Sequence, residues 1–245
     1  MGDSLIESML KQLKLASISK QYQALAAEAI KTGKSHEEYL KVLLEEEIGH
    51  RLAARIKTLI VHAQFPAIKT LSEFQFEALP KLNKQKILDL STGHFIEGKG
   101  NVCFLGQAGT GKTHLAIALA YEACKKKHKV LFFSAAKLVN QLIEARKTQS
   151  LSKLQKKLQQ ANLIVLDELG YIPFSKEGAE LLFQFFSDRY EQGSLIVTTN
   201  LEFSDWTKFL GDPTMTSALL DRFTHHCDIF TLNGESYRFR QRKKQ

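Results

Sequence analysis

Leu40, Leu44, Ile48, Leu52, Ile56 and Leu59 recur at steps of three or four. That spacing places them on one face of a long helix. Ser35 followed by Glu38 reads as a capping box and sets where that helix begins. Upstream, Leu5, Met9 and Leu13, then Tyr22, Leu25 and Ala29, predict two shorter helices, which Gly33 separates from the long one. Residues 1–63 therefore read as a helical N-terminal domain. So small a unit holds little core of its own. Its apolar face is expected to dock on the rest of the chain, on a second copy or on another protein. The pattern breaks at Phe65-Pro66, and residues 64–82 read as a linker. Lys84–Leu90 suggests a short helix, and Gly98-Lys99-Gly100 a turn.

The periodicity then changes. Val102–Leu105, Val130–Phe133, Leu163–Leu166, Leu195–Thr199 and Ile229–Leu232 are short apolar runs. Between and around them, Thr113–Lys127, Ala135–Arg146, Lys153–Gln160, Gly178–Tyr190 and Thr216–His225 carry helical patterns. Alternating strand and helix predict an α/β domain over residues 83–245, with a five-stranded parallel sheet between helices.

The chemistry is carried at the ends of these strands. Gly106-Gln107-Ala108-Gly109-Thr110-Gly111-Lys112-Thr113 fits the phosphate-binding pattern G-x-x-x-x-G-K-[ST], after an apolar run and before an alanine-rich helical stretch. Its glycines let the backbone wrap closely with N–H groups inward, and the positive end of the next helix adds to them. Lys112 supplies a charge to the β and γ phosphates of ATP, and Thr113 a hydroxyl to Mg²⁺. His114, next in sequence, completes the predicted nucleotide-contacting set. Leu163–Leu166 runs into Asp167 and Glu168. The first acid suits the Mg²⁺ shell, and the second suits polarising a water for attack on the γ phosphate. Asn200, after Val197-Thr198-Thr199, is placed to orient that water. Arg222 in Leu219–Phe223 reads as an arginine finger offered to a neighbouring subunit, which implies self-assembly.

Charge adds a polyanion to this picture. The chain of 245 residues carries a net charge of +8. Arg146, Lys147, Lys153, Lys156 and Lys157 follow one another without an intervening acid, and are the candidate DNA contacts. A second basic cluster, Arg238, Arg240, Arg242, Lys243 and Lys244, is interleaved with Tyr237 and Phe239. Cys103, Cys124 and Cys227 show no metal spacing and read as small buried hydrophobes in a reducing compartment. No run is long enough for a membrane span. A cytoplasmic protein is expected. His225-His226 resembles a metal pair only superficially, because neighbours on a helix do not face one another. Trp206 and Phe209 read as packing anchors.

Asp167–Phe174, Glu177–Ala179, Leu181–Phe183, Val197–Leu201, Gly211–Pro213, Ala218–Arg222 and Gly234–Arg238 together closely resemble the IstB family, the helper ATPases of bacterial insertion sequences. The helicase loader DnaC and the initiator DnaA resemble it more distantly. The likeness covers essentially the whole chain. It implies an AAA+ module of the initiator group that hydrolyses ATP. It further implies a homo-oligomer assembled on double-stranded DNA, remodelling of that DNA, and recruitment and stimulation of a transposase. The roles of Lys112, Thr113, Asp167, Glu168, Asn200 and Arg222 carry over position by position. One departure is that little or no C-terminal helical lid follows Ile229–Leu232, so a second-sensor arginine has only Arg238 as a candidate. A replicative helicase loader is the alternative reading. A small-molecule P-loop kinase fits less well, since Asp167-Glu168 suits attack by water.

Overall fold

Helices α1 (Gly2–Gln12), α2 (Ala16–Thr32) and α3 (His36–Ala63) open the chain. Gly33 ends α2 in the left-handed conformation, with φ 68°. The capping box forms: the Ser35 N–H donates to Glu38 Oε2 at 2.7 Å, and the Glu38 N–H donates to Ser35 Oγ at 3.2 Å. The computed structural model describes residues 2–234. The chain divides into two compact units, Met1–Thr58 and Leu59–Gln245, and the division falls within α3.

In the first unit Ile18, Ala29 and Leu43 are buried, together with the polar Ser17 and Glu47. Glu47 takes the place of a missing cap. Leu15 caps α2 with no side-chain hydrogen bond. Instead, Glu47 Oε2 accepts the Ser17 and Ile18 N–H groups at 2.9 and 3.3 Å, satisfying two of the orphan donors of the first turn. Arg51 holds Glu47 at 2.7 Å and reaches Lys14 O. Burial alone raises the Glu47 pKa, but the bonds from Arg51, Ile18 and Ser17 outweigh it and leave the carboxyl below its ordinary value. Of the predicted stripe, Leu40, Leu44 and Ile48 are exposed and Leu52, Ile56 and Leu59 are half-buried, while Leu43 and Glu47 are buried. Helical periodicity located an apolar face but did not locate its cover.

The second unit begins with residues 64–82. They contain little regular structure beyond a 3-10 turn at Phe76–Ala78. They are nonetheless packed, since Phe65, Leu71, Phe74 and Phe76 lie against the core while Leu79 and Leu82 belong to it. After α4 (Lys84–Leu90) and α5 (His94–Glu97) come β1 (Asn101–Gly106), α6 (Lys112–Lys125), β2 (Val130–Ser134), α7 (Ala135–Lys147) and α8 (Leu151–Gln159). Then follow β3 (Leu163–Leu169), α9 (Lys176–Arg189), β4 (Ser194–Thr199), α10 (Thr207–Leu210), α11 (Pro213–Thr224) and β5 (Cys227–Leu232). The strands form one sheet in the order β2-β3-β4-β1-β5, and every pairing is parallel.

The sheet is buried on both faces, which is why its strands read as continuous apolar runs. Alternate residues separate to the two sides. Val102, Phe104, Val165 and Ile196 meet Leu115, Ala116, Leu119 and Ala120 of α6. Cys103, Leu105, Ile164, Leu166 and Val197 meet α7, α9 and the aromatic group Trp206, Phe209 and Phe223. Trp206 is fully buried, with its ring centroid 5.5 Å from that of Phe209 and 5.9 Å from that of Phe223. Cys103 and Cys124 are buried free thiols, and burial pushes Cys124 up to about 12. Among the described residues no helix follows β5, and none is long and apolar enough to cross a membrane.

Candidate nucleotide-binding and hydrolysis site

Residues 106–113 join the C-terminal end of β1 to the first turn of α6. A side chain is excluded at two points of this loop. A Cβ on Gly106 would stand 2.4 Å from Leu232 O, and one on Gly111 would stand 2.7 Å from Phe74 Cε2, with both residues at positive φ. The Thr110 hydroxyl donates to Gln107 O at 2.9 Å and closes the loop on itself. Lys112 Nζ donates to Gly106 O at 2.6 Å and Gln107 O at 2.7 Å, so its ammonium lies over the loop. Gln107, Ala108 and Gly109 form the turn between.

Asp167 and Glu168 sit at an irregularity of β3. Leu166 pairs with Val197, but Leu169 pairs with Thr199, so β3 carries one extra residue against β4. Such a bulge bends the strand and redirects a side chain. Glu168 takes the left-handed conformation at φ 59°, and its side chain is exposed between the buried Asp167 and Leu169. Asp167 Oδ1 accepts from the Thr113 hydroxyl at 2.9 Å and from the Thr198 hydroxyl at 2.5 Å. The loop and the acid therefore meet across 54 residues of chain. Asn200 lies just past β4, exposed. Because β4 lies between β3 and β1, that strand end falls between the acids and the loop.

Residues 64–82, read above as a linker, contribute here. A cleft of about 530 Å³ is lined on one side by Gly109–His114 and Ile117, and on the other by Lys69, Glu73, Phe74, Gln75, Ala78 and Leu79. His114 Nε2 meets Thr70 O at 2.8 Å, and its ring centroid lies 5.3 Å from that of Phe74. The cleft is of the size small ligands use; Phe74, Ala78, Leu79 and Ile117 give it apolar surface, and Lys69, Glu73, Gln75, Thr110, Lys112, Thr113 and His114 line it with polar groups. It fits a nucleotide whose phosphates reach the loop. The density of Phe and Leu at 65, 71, 74, 76 and 79 was the available signal that this segment is not a free linker. The pair Thr113 and Asp167 fits Mg²⁺ in donor chemistry, since both offer oxygen to a hard cation that keeps part of its water shell.

Other expected residues lie elsewhere. Arg222 Nη1 donates to Ala218 O at 2.7 Å, and the guanidinium lies 5.6 Å over the Phe183 ring; neither partner belongs to the nucleotide loop. Arg146 and Lys147 end α7, while Lys153, Lys156 and Lys157 lie on α8, and all five are exposed. Arg146 stands 3.9 Å from Glu177, an acid the linear order did not place beside the cluster. Arg238 and the basic residues after it lie outside the described residues.

Contrary to the helix-based expectation, the His225 and His226 rings do lie against one another. His225 and His226 follow the last helical residue of α11, so the helix argument against their meeting does not apply. Their ring centroids are 4.0 Å apart, and with Glu191 their ligand atoms lie within 4.8 Å of one another. The group is exposed. The His226 carbonyl accepts from Asn101 N at 2.6 Å, at the beginning of β1 and thus at the opposite end of that strand from the nucleotide loop.

Comparison with known proteins supplies the lineage. The family model described as IstB-like ATP binding protein matches residues 8–245. A Geobacillus stearothermophilus protein named for ATP binding in insertion sequence IS5376 is 39% identical over 243 residues, covering 98% of this chain and 96% of that protein. The corresponding protein of insertion sequence IS21 from Pseudomonas aeruginosa is 35% identical over 239 residues, covering 98% and 90%. Among solved structures, the DnaC helicase loader matches with TM-score 0.53 and 23% identity, covering 61% of this chain and 87% of that one. AMPPCP-bound DnaA from Aquifex aeolicus matches with TM-score 0.54 and 19% identity, covering 71% and 53%. The fold is therefore the AAA+ P-loop fold. By sequence, along nearly its whole length, the chain belongs to the family of IstB-like ATP-binding proteins.

Proposed function

We propose that this protein is a Mg²⁺-dependent ATPase that assembles with copies of itself on double-stranded DNA, remodels it, and recruits and stimulates a transposase. The observation that carries the ATPase half is the meeting of Thr113 with Asp167 at 2.9 Å, next to a Glu168 that the β3 bulge turns outward. The transposition half is supported by the family and by relatives named for insertion sequences. The helical N-terminal domain is assigned to contacts with a partner, with DNA or with another copy. The ATPase domain is assigned to the residues after the segment 64–82.

In this reading the N–H groups of residues 107–113 and the Lys112 ammonium take the phosphates of ATP. Thr113 and Asp167 hold Mg²⁺, which when bound offsets charge on the phosphate oxygens. Glu168 accepts a proton from a water that Asn200 orients. The water oxygen bonds to the γ phosphorus as the bond from phosphorus to the ADP oxygen breaks. Arg222 of an adjoining copy meets the charge that develops. Turnover thus depends on contact between copies. The exposed Arg146, Lys147, Lys153, Lys156 and Lys157 neutralise DNA phosphates without reading sequence.

The test is steady-state ATP turnover by purified protein, with and without duplex DNA, beside Lys112→Ala. Turnover that needs Lys112 and rises with DNA is expected. Equal turnover in both proteins would sink the ATPase half. Co-purification that returned the replicative helicase and no transposase would replace the partner half with a helicase loader.

A further inference from the structure

We propose that Thr198 is a positioning residue that holds Asp167 and Glu168 in their working geometry through a single hydroxyl. This inference rests on the ATP reading of the site. Its starting point is the bulge. One extra residue on β3 leaves the ladder short of a partner there. A buried N–H without a partner is costly, so it must be met from elsewhere. The Glu168 N–H donates to Thr198 Oγ1 at 2.9 Å. The same hydroxyl donates its own hydrogen to Asp167 Oδ1 at 2.5 Å.

A hydroxyl offers one donor and two acceptor positions. Here the donor is used on one acid and an acceptor on the backbone of the next. Thr198 is 1% exposed, so water does not compete for either bond. Its two bonds act on different things. The first fixes the rotamer of Asp167, whose Oδ1 also meets Thr113. The second fixes the left-handed backbone of Glu168, and with it the direction of the exposed carboxylate. Thr198 is one strand position before Thr199, whose hydroxyl is taken by the Leu201 N–H at 3.1 Å. The two threonines therefore do different work. Thr198 spans to β3, while Thr199 shapes the turn that carries Asn200.

Two predictions separate this role from simple packing. Thr198→Val keeps the shape and removes both bonds, whereas Thr198→Ser keeps the hydroxyl and removes a methyl group. The first readout does not need turnover: the affinity of full-length protein for AMPPCP, measured with MgCl2 and again with EDTA. The gain in affinity due to Mg²⁺ is expected to fall about 10- to 100-fold in Thr198→Val, the range seen when groups supporting a metal ligand are lost. Thr198→Ser is expected to keep it within about threefold. The second readout is ATP turnover at saturating nucleotide, expected to fall by a similar factor in Thr198→Val with a smaller change in affinity without metal.

Should the valine variant fail to fold, Thr198→Ala reads the same two quantities. A valine or alanine variant with the wild-type Mg²⁺ gain overturns the proposal. So does a serine variant that loses as much as valine, since the role would then belong to the methyl group. If wild-type protein binds AMPPCP but turns over no ATP, the ATPase reading fails while the Mg²⁺ gain still decides the role of Thr198.

Discussion

The two ends of the central sheet treat buried polar groups in opposite ways. At the end where β3 and β4 begin, Arg189 is 2% exposed and donates to the carbonyls of Leu158, Ala161, Asn162 and Ser194. Burial pushes its pKa down to about 10, which still leaves it charged at neutral pH. The surroundings are shaped around it: a Cβ on Gly193 would stand 2.1 Å from its Nη2. At the other end Lys112 also donates to carbonyls, those of Gly106 and Gln107, but it borders an open cleft. One cation is enclosed by four main-chain carbonyls. The other lies on a loop whose N–H groups and neighbouring hydroxyl can take a phosphate. Buried charge closed by backbone is architecture, and charge beside an opening is a candidate site.

Removing Arg189 has the largest expected effect. Arg189→Ala removes the donor shared by four carbonyls, of which Leu158 O and Asn162 O keep a backbone N–H, and takes away the packed stem of the side chain. A loss of about 3–5 kcal/mol is expected in urea unfolding, with nucleotide affinity retained by the protein that stays folded. Loss of affinity without loss of stability would reverse the assignment of that end. Lys112→Ala should do the opposite: about a 100-fold fall in ATP turnover, equivalent to roughly 2.7 kcal/mol, with an unfolding midpoint close to wild type.

Glu47 sharpens the point from the first unit, because it too is buried and closed by main-chain groups. Glu47→Ala is expected to cost about 1–3 kcal/mol in the stability of the helical unit by leaving the Ser17 and Ile18 N–H groups unpaired. Its pKa lies below the ordinary 4.5 in the folded state. The unfolded chain therefore binds the proton more readily, and the stabilisation is full above pH 4.5 and lost as pH falls through the folded value. Helix content followed on acidification should show that loss in wild type, and Glu47→Gln should flatten it. The smallest effect belongs to the basic surface. Lys156→Ala should lower the slope of log affinity for duplex DNA against log salt by about 0.9, leaving ATP turnover without DNA unchanged.

Much of the candidate site was legible because its parts are local. Glycines at 106, 109 and 111 and the Lys112-Thr113 pair declare a loop whose shape depends on neighbours a few residues away. The apolar runs before it and before Asp167 declared strands for the same reason, although β3 continues to Leu169, beyond the run that announced it. The Ser35–Glu38 cap is likewise a matter of three residues. The stripe of Leu40, Leu44 and Ile48 was legible as a stripe, while its exposure was not.

What the chain determined by itself, then, was the kind of element at each place and the chemical class of the loop and acids, since periodicity and glycine conformation act over one or two turns. Tertiary structure alone decided the rest. The bulge that turns Glu168 outward exists only through the register of β3 on β4, and Thr198 matters only because that register leaves an N–H to be met. The cleft wall at residues 69–79 and the grouping of Glu191 with His225 and His226 arise from segments brought together across the fold. Such contacts are fixed by the packing of whole layers, and no spacing along the chain records them.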